Sequence, residues 1–214
     1  MTLYICGDST AASYREEEAP IMGWGQALGE MLEGCRVENR AMAGRSTKSF
    51  LSEGRLQKIE TEIQPGDLLL IQFTHNDESD LVWRHTDPWT SFCNHLALFV
   101  DTARQNQARP VLLTPICLRT WEDGELKESH GVYPDAVRWV ARTRGVPLID
   151  LYQESVALVR ALGEEESRKL YLHVEPGVYP AYPKGAEDNA HTRRAGAEAW
   201  ARIAAEKLRA LGLV

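Results

Sequence analysis

Between Asp67 and Phe73 the chain reads DLLLIQF, an apolar run without the in-out alternation of a half-exposed strand. Such a strand must be covered on both faces, as in a parallel sheet held between helices. Four more segments have strand character: residues 2–6, 36–39, 110–114 and 147–149. Helical patterns lie between them, starting at residues 25–32 and recurring over 56–63, 89–107, 133–144 and 153–162. A last one covers 192–211, with Ala195, Ala199, Ile203 and Leu208 near helical spacing and Gly212 as a stop. Five strands alternating with helices predict an α/β fold, one domain over residues 1–214, with right-handed crossovers. Functional groups of such sheets lie beyond the carboxyl ends of the strands. Residues 75–88 and 164–191 read as irregular loops, and loops of that length are usually functional.

Composition narrows the function. The chain has 214 residues and a formal net charge of −7, with no long Lys/Arg run. A nucleic-acid or anionic-membrane partner therefore has no electrostatic footprint. No stretch approaches the roughly 20 apolar residues of a transmembrane helix. No charged and apolar leader precedes the first strand, so a cytoplasmic location is expected. The cysteines Cys6, Cys35, Cys93 and Cys117 form no CxxC pair and read as free thiols of a reducing compartment.

The strand ends carry the chemistry. The first ends in Gly7-Asp8-Ser9, the second in NRAMAGRS with Gly44, and the third in FTHND with Asn76. The last long segment ends in EDNAH, with Asp188 and His191. A serine hydroxyl needs an adjacent base to act as a nucleophile near neutral pH. Histidine suits that role, and a carboxylate on its other ring nitrogen sets its tautomer. Asp188 and His191 stand three apart, so one turn can present both side chains together. The backbone N–H of Ser9, the backbone N–H of Gly44 and the amide of Asn76 are candidate oxyanion donors. Each element alone is a common turn; their chain order and their positions at predicted strand ends give them weight.

The segments ICGDSTAA, NRAMAGRSTKSF, IQFTHND, TPICLR, HGVYPDAVRWVA, VPLIDLY and YPKGAEDNAHTRRAGA resemble the blocks of the SGNH/GDSL hydrolases, and more closely those of the rhamnogalacturonan acetylesterase branch. The resemblance implies a three-layer α/β/α sandwich with a five-stranded parallel, flavodoxin-like sheet. It also implies a serine esterase with Ser9 as nucleophile, His191 as base, Asp188 as its orienter, and Ser9, Gly44 and Asn76 around the oxyanion. No metal and no organic cofactor are implied, and the implied partner is an acetylated oligosaccharide. Thr74 stands where that branch usually has glycine, and Ala190 where it usually has threonine. The methyl-bearing Thr74 enters a backbone that runs close to the site, and the hydroxyl lost at Ala190 is expected to loosen the turn under His191.

Other residues admit two readings. Asp8 reads as a turn cap rather than a triad acid. His75 reads as a hydrogen-bonding prop for the Asn76 segment. The resemblance places His130 near substrate. The aromatic residues Trp83, Trp89, Trp121, Tyr133, Tyr179 and Tyr182 suit sugar faces as well as loop packing. Of these Trp121, Tyr133 and Tyr182, with His130, are the candidate substrate contacts. Arg45, Arg119 and Lys184 are cations that could meet a uronate carboxylate, with surface charge as the plainer reading. The function expected is removal of acetyl or other short acyl groups from carbohydrate, of rhamnogalacturonan or pectin origin. The rivals are a broad short-chain carboxylesterase, thioesterase or acetylxylan esterase, and a non-catalytic module that binds acetylated sugars.

Overall fold

A computed structural model describes residues 1–214. The elements follow the chain as β1 (Thr2–Gly7), α1 (Trp24–Leu28), β2 (Arg36–Asn39), α2 (Thr47–Ser52), α3 (Arg55–Glu60), β3 (Leu68–Gln72), α4 (Cys93–Gln105) and β4 (Arg109–Leu113). Then come a short hairpin of β5 (Trp121–Glu122) and β6 (Glu125–Leu126), α5 (Tyr133–Arg144), β7 (Leu148–Ile149), α6 (Leu151–Ser167), β8 (Tyr171–Val174), β9 (Ala186–Thr192) and α7 (Arg194–Ala210).

The central sheet has five strands in the order β2-β1-β3-β4-β7, all paired in parallel. Successive residues of a strand face opposite sides, and β1 divides accordingly. Leu3 and Ile5 join a core with Trp24, Leu28, Val159, Trp200 and Leu208, under α1, α6 and α7. Tyr4 and Cys6 join a second core with Phe50, Ile59, Phe99 and Val140, under α2, α3, α4 and α5. The apolar run of β3 splits the same way, Leu68 and Leu70 to one side and Leu69 and Ile71 to the other. That is the three-layer sandwich expected from the sequence.

Besides the small β5–β6 hairpin, two segments depart from the sequence reading. Residues 164–191 are not one irregular loop: α6 continues to Ser167, and β8 and β9 pair antiparallel as a separate ribbon. Polar β9 (AEDNAHT) hides its strand character, because neither face is part of a core. The second departure is α2, which has too few residues for a helical period to show. It forms because Ser46 caps it, its hydroxyl accepting from Ser49 N at 3.2 Å, and because Phe50 is fully buried.

Candidate active site

At the carboxyl end of β1 the backbone must turn hard against β3. A Cβ on Gly7 would lie 2.9 Å from the Gln72 carbonyl oxygen, so only glycine lets the two strand ends approach this closely. Asp8 then folds the turn. Its Oδ1 accepts from Thr10 N at 2.9 Å and from Thr10 Oγ1 at 2.7 Å, the capping role expected of it. Ser9 follows, 8% exposed, with its carbonyl held by the Tyr14 hydroxyl at 2.8 Å.

The β9 ribbon supplies the partners. Thr192 pairs with Tyr171 while Asp188 pairs with Leu172, so residues 189–191 bulge out of the ladder. In a regular strand, residues three apart face opposite ways. The bulge undoes this, because Asp188 Oδ1 accepts from Ala190 N at 2.8 Å and from His191 N at 2.9 Å and so curls the backbone. The Asp188 and His191 side chains then meet, with His191 Nδ1 2.7 Å from Asp188 Oδ2. His191 Nε2 lies 2.9 Å from Ser9 Oγ. The turn under His191 is closed by these backbone N–H groups despite the alanine at 190. It is tethered from behind as well: Asn189 Oδ1 lies 3.2 Å from Arg119 Nη1 and 2.8 Å from His173 Nε2, and Arg119 N donates to the Asn189 carbonyl at 2.8 Å.

The electrostatics follow from this geometry. Burial works to raise the Asp188 carboxyl, but the hydrogen bonds from the His191 ring and from the His191 and Ala190 backbone hold it far below the usual carboxylate range. For His191 the hydrogen bond to Asp188 outweighs desolvation, and the nearby charges of Asp188 and Asp8 add to it, so its imidazole is raised above the ordinary histidine value.

The three candidate oxyanion donors each carry a polar hydrogen without a protein partner. Neither the Ser9 N–H nor the Gly44 N–H donates to a protein acceptor. Gly44 has φ +78°, a conformation that glycine takes without strain. Asn76, 7% exposed, donates one Nδ2 hydrogen to the Arg45 carbonyl at 3.1 Å and keeps the other free. The Gly44 and Asn76 segments are clamped together by Asp77, whose carboxylate accepts from Thr47 N at 3.1 Å and Thr86 Oγ1 at 3.0 Å, and from the Thr47 hydroxyl. Burial pushes the Asp77 carboxyl up to about 7.

The remaining candidates are placed as follows. His75 makes no hydrogen bond. Its ring packs edge-on against His130, centroids 4.4 Å apart, and Nδ1 lies 3.4 Å from Asp8 Oδ2, so it supports the segment by packing rather than as the expected hydrogen-bonding prop. His130 is itself buried, bonded to Glu78 and to the Ile116 carbonyl. Tyr133 is buried too, its hydroxyl donating to the Asp77 and Thr86 carbonyls. These two side chains face the scaffold and not the open surface. Trp121 sits apart on the β5–β6 hairpin, beside Leu126 and Arg160. Tyr182 is half-buried near the site; burial first, and then the Asp188 charge, raise its phenol. Arg45 is paired with Glu53 and Arg119 is buried behind β9, whereas Lys184 is exposed. Thr74 has φ +154° and a buried hydroxyl with no partner. The residue that sequence reasoning missed is Arg84, whose Nη1 donates to Asn76 Oδ1 at 2.8 Å. No motif marks it, since only the folding of its loop brings it there.

Residues 5–176 match the family model described as the GDSL-like lipase/acylhydrolase family. Rhamnogalacturonan acetylesterase RhgT of Bacillus subtilis (strain 168) is 43% identical over 213 residues, 99% of this chain and 90% of that protein. The probable rhamnogalacturonan acetylesterase YesY of the same organism is 37% identical over 213 residues, covering 99% and 94%. The crystal structure of protein YxiM from Bacillus subtilis superposes with a TM-score of 0.83 at 27% identity. It covers 99% of this chain and 56% of that one, so this chain spans about half of YxiM.

Proposed function

The chain belongs to the GDSL-like lipase/acylhydrolase family and is a carboxylic ester hydrolase, and from that premise we propose that it removes acetyl groups from carbohydrate, with rhamnogalacturonan-derived oligosaccharides as the substrate. The observation that carries the mechanism is the line of hydrogen bonds from Asp188 through His191 to Ser9, 2.7 and 2.9 Å long. Ser9 Oγ attacks the ester carbonyl carbon and His191 Nε2 takes its proton. Asp188 remains ionised and stabilises the imidazolium. The oxyanion is received by the free N–H groups of Ser9, Gly44 and Asn76. The intermediate collapses, the C–O bond to the sugar breaks, and His191 returns the proton to the departing sugar oxygen. Water then attacks the acetyl-Ser9 ester with the same base, releasing acetate.

The carbohydrate part of the reading rests on the names of RhgT and YesY, each matched along nearly the whole chain. Residues 1–214 are read as one domain, since the first strand and the last helix share a core. The test is acetate release from acetylated rhamnogalacturonan oligosaccharides, acetylated xylo-oligosaccharides and p-nitrophenyl acetate, with Ser9→Ala alongside. Preference for the first substrate, lost in Ser9→Ala, is the expected result. Equal turnover of all three would replace the assignment with that of a broad short-chain esterase. Binding of the sugars without turnover would replace it with that of a binding module.

A further inference from the structure

An asparagine that stabilises an oxyanion must point its NH₂ group, and not its carbonyl, at the reacting atom. The two ends of the amide are nearly the same shape, so packing alone does not select between them. Here two contacts do. Nδ2 donates to the Arg45 carbonyl, and Oδ1 accepts from Arg84 Nη1 at 2.8 Å. If the amide turned over, Oδ1 would face a carbonyl and Nδ2 would face a guanidinium.

Arg84 is held in place by its loop. Residues 79–87 fold back onto the Asn76 turn, with Thr86 N donating to the Asp77 carbonyl at 3.0 Å. The Tyr133 hydroxyl bridges the Asp77 and Thr86 carbonyls, and Lys48 Nζ donates to the Val82 carbonyl at 2.6 Å. Within the loop, Arg84 N and His85 N both donate to the Leu81 carbonyl at 2.9 Å. The guanidinium also lies over the Trp83 ring, 5.4 Å from its centroid.

Its charge has no counter-ion. None of the chain's ion pairs includes Arg84. Nε is buried without a partner, so the one polar bond this side chain makes is to the Asn76 amide. A cation bonded to an amide oxygen draws electron density from the nitrogen and makes its N–H a stronger donor. An uncompensated positive charge behind the amide also favours negative charge developing in front of it.

We propose that Arg84 is a positioning residue of the oxyanion hole: it sets the orientation of the Asn76 amide and polarises the N–H that meets the tetrahedral intermediate. The inference rests on the reading of Asn76 as an oxyanion donor. It concerns both half-reactions, because acylation and deacylation pass through the same oxyanion.

The test is a double-mutant cycle of Arg84→Met and Asn76→Ala, read by kcat and KM on p-nitrophenyl acetate, with urea unfolding of each protein. Removing a whole oxyanion donor costs about 10²–10³ in kcat, so Arg84→Met is expected to cost about 10-fold to 10², with KM nearly unchanged. Arg84→Lys keeps the charge and recovers part of the loss. In the Asn76→Ala background, Arg84→Met has no further effect on kcat. Should Arg84→Met fail to fold, the same cycle is run with Arg84→Lys, where a smaller loss must likewise vanish without Asn76. A loss of the same size with and without Asn76, or an unchanged kcat in Arg84→Met, overturns the proposal. An unchanged kcat in Asn76→Ala instead removes the oxyanion role of Asn76 itself, and the proposal with it.

Discussion

His191 Nε2 stands 2.9 Å from Ser9 Oγ, although the two residues are 182 positions apart in the chain. One sits on a tight turn after the first strand of the sheet. The other sits on a bulge in a ribbon outside the sheet. Hydrogen-bond contact between them requires that both segments be held from behind, Ser9 by Gly7 and Tyr14, and His191 by Asp188 and the tethers to Asn189.

That contact makes Ser9→Ala the sharpest variant. It is expected to lower kcat on acetate esters by on the order of 10⁶. Its urea unfolding curve should overlay that of the parent, because the hydroxyl's partner in the structure is the His191 ring. Retained turnover would remove Ser9 from the mechanism.

The pH profile is set by the Asp188–His191 pair. His191 must be neutral to accept a proton, and its pKa lies above the ordinary value near 6.5 because Asp188 stabilises the imidazolium. The acid limb of kcat/KM is therefore expected above pH 6.5, with activity falling as pH drops through it. Asp188→Asn removes that stabilisation, so the limb moves to lower pH while kcat falls by about 10⁴. The stability linkage has two signs. The raised His191 contributes stability that is complete below its unfolded pKa and is lost as pH rises through the folded one. The depressed Asp188 contributes stability that is complete above its unfolded pKa and is lost as pH falls through the folded one. The stability difference between the parent and Asp188→Asn should thus be largest between about pH 4 and 6.5, measured by urea unfolding across that range.

Thr74 is strained. A β-branched residue at φ +154° is rare, and its buried hydroxyl has no partner. Strain and an unmet hydroxyl cost about 1–3 kcal/mol each, against about 1 kcal/mol for the freedom of glycine in the unfolded chain and about 0.8 for a lost methyl. Thr74→Gly should therefore stabilise the protein, by about 0.2 to 4 kcal/mol on these terms, seen as a higher urea midpoint with unchanged slope. A lower midpoint would show that the methyl's packing outweighs the strain.

Arg119 tests the tether behind the base. It is 7% exposed and bonds Asn189, the Ser167 hydroxyl and the Glu164 carbonyl. Arg119→Ala should cost about 2–3 kcal/mol of stability, as expected for lost hydrogen bonds to a buried charged group. It should also lower kcat by up to about 10² through a displaced His191. Arg119→Lys should recover little, because an ammonium does not reproduce the planar fork. Parental kcat in a folded Arg119→Ala would show that Asp188 alone holds the imidazole.

The layered fold was legible because each sheet strand is covered on both faces, and that burial writes itself into the chain as apolar runs such as DLLLIQF. The glycine-aspartate-serine turn was legible for a related reason, since a strand end pressed against the Gln72 carbonyl admits only glycine. The β8–β9 ribbon was not, because β8 has only four residues and the mostly polar, half-exposed side chains of β9 carry no burial period. His75 was misjudged because residue type reveals that a ring is polar but not whether a partner lies in its plane.

By itself, then, the sequence determined what is repeated or local: the order of strands and helices, the two-sided core, and turns dictated by one residue's backbone. Only the tertiary structure decided the bulge that turns Asp188 and His191 to the same side, the burial of His130 and Tyr133 away from the open face, and the placing of Arg84 on the Asn76 amide. The physical reason is that hydrophobic burial acts along every element and leaves a periodic trace, whereas each of these contacts is a single directional bond between distant residues.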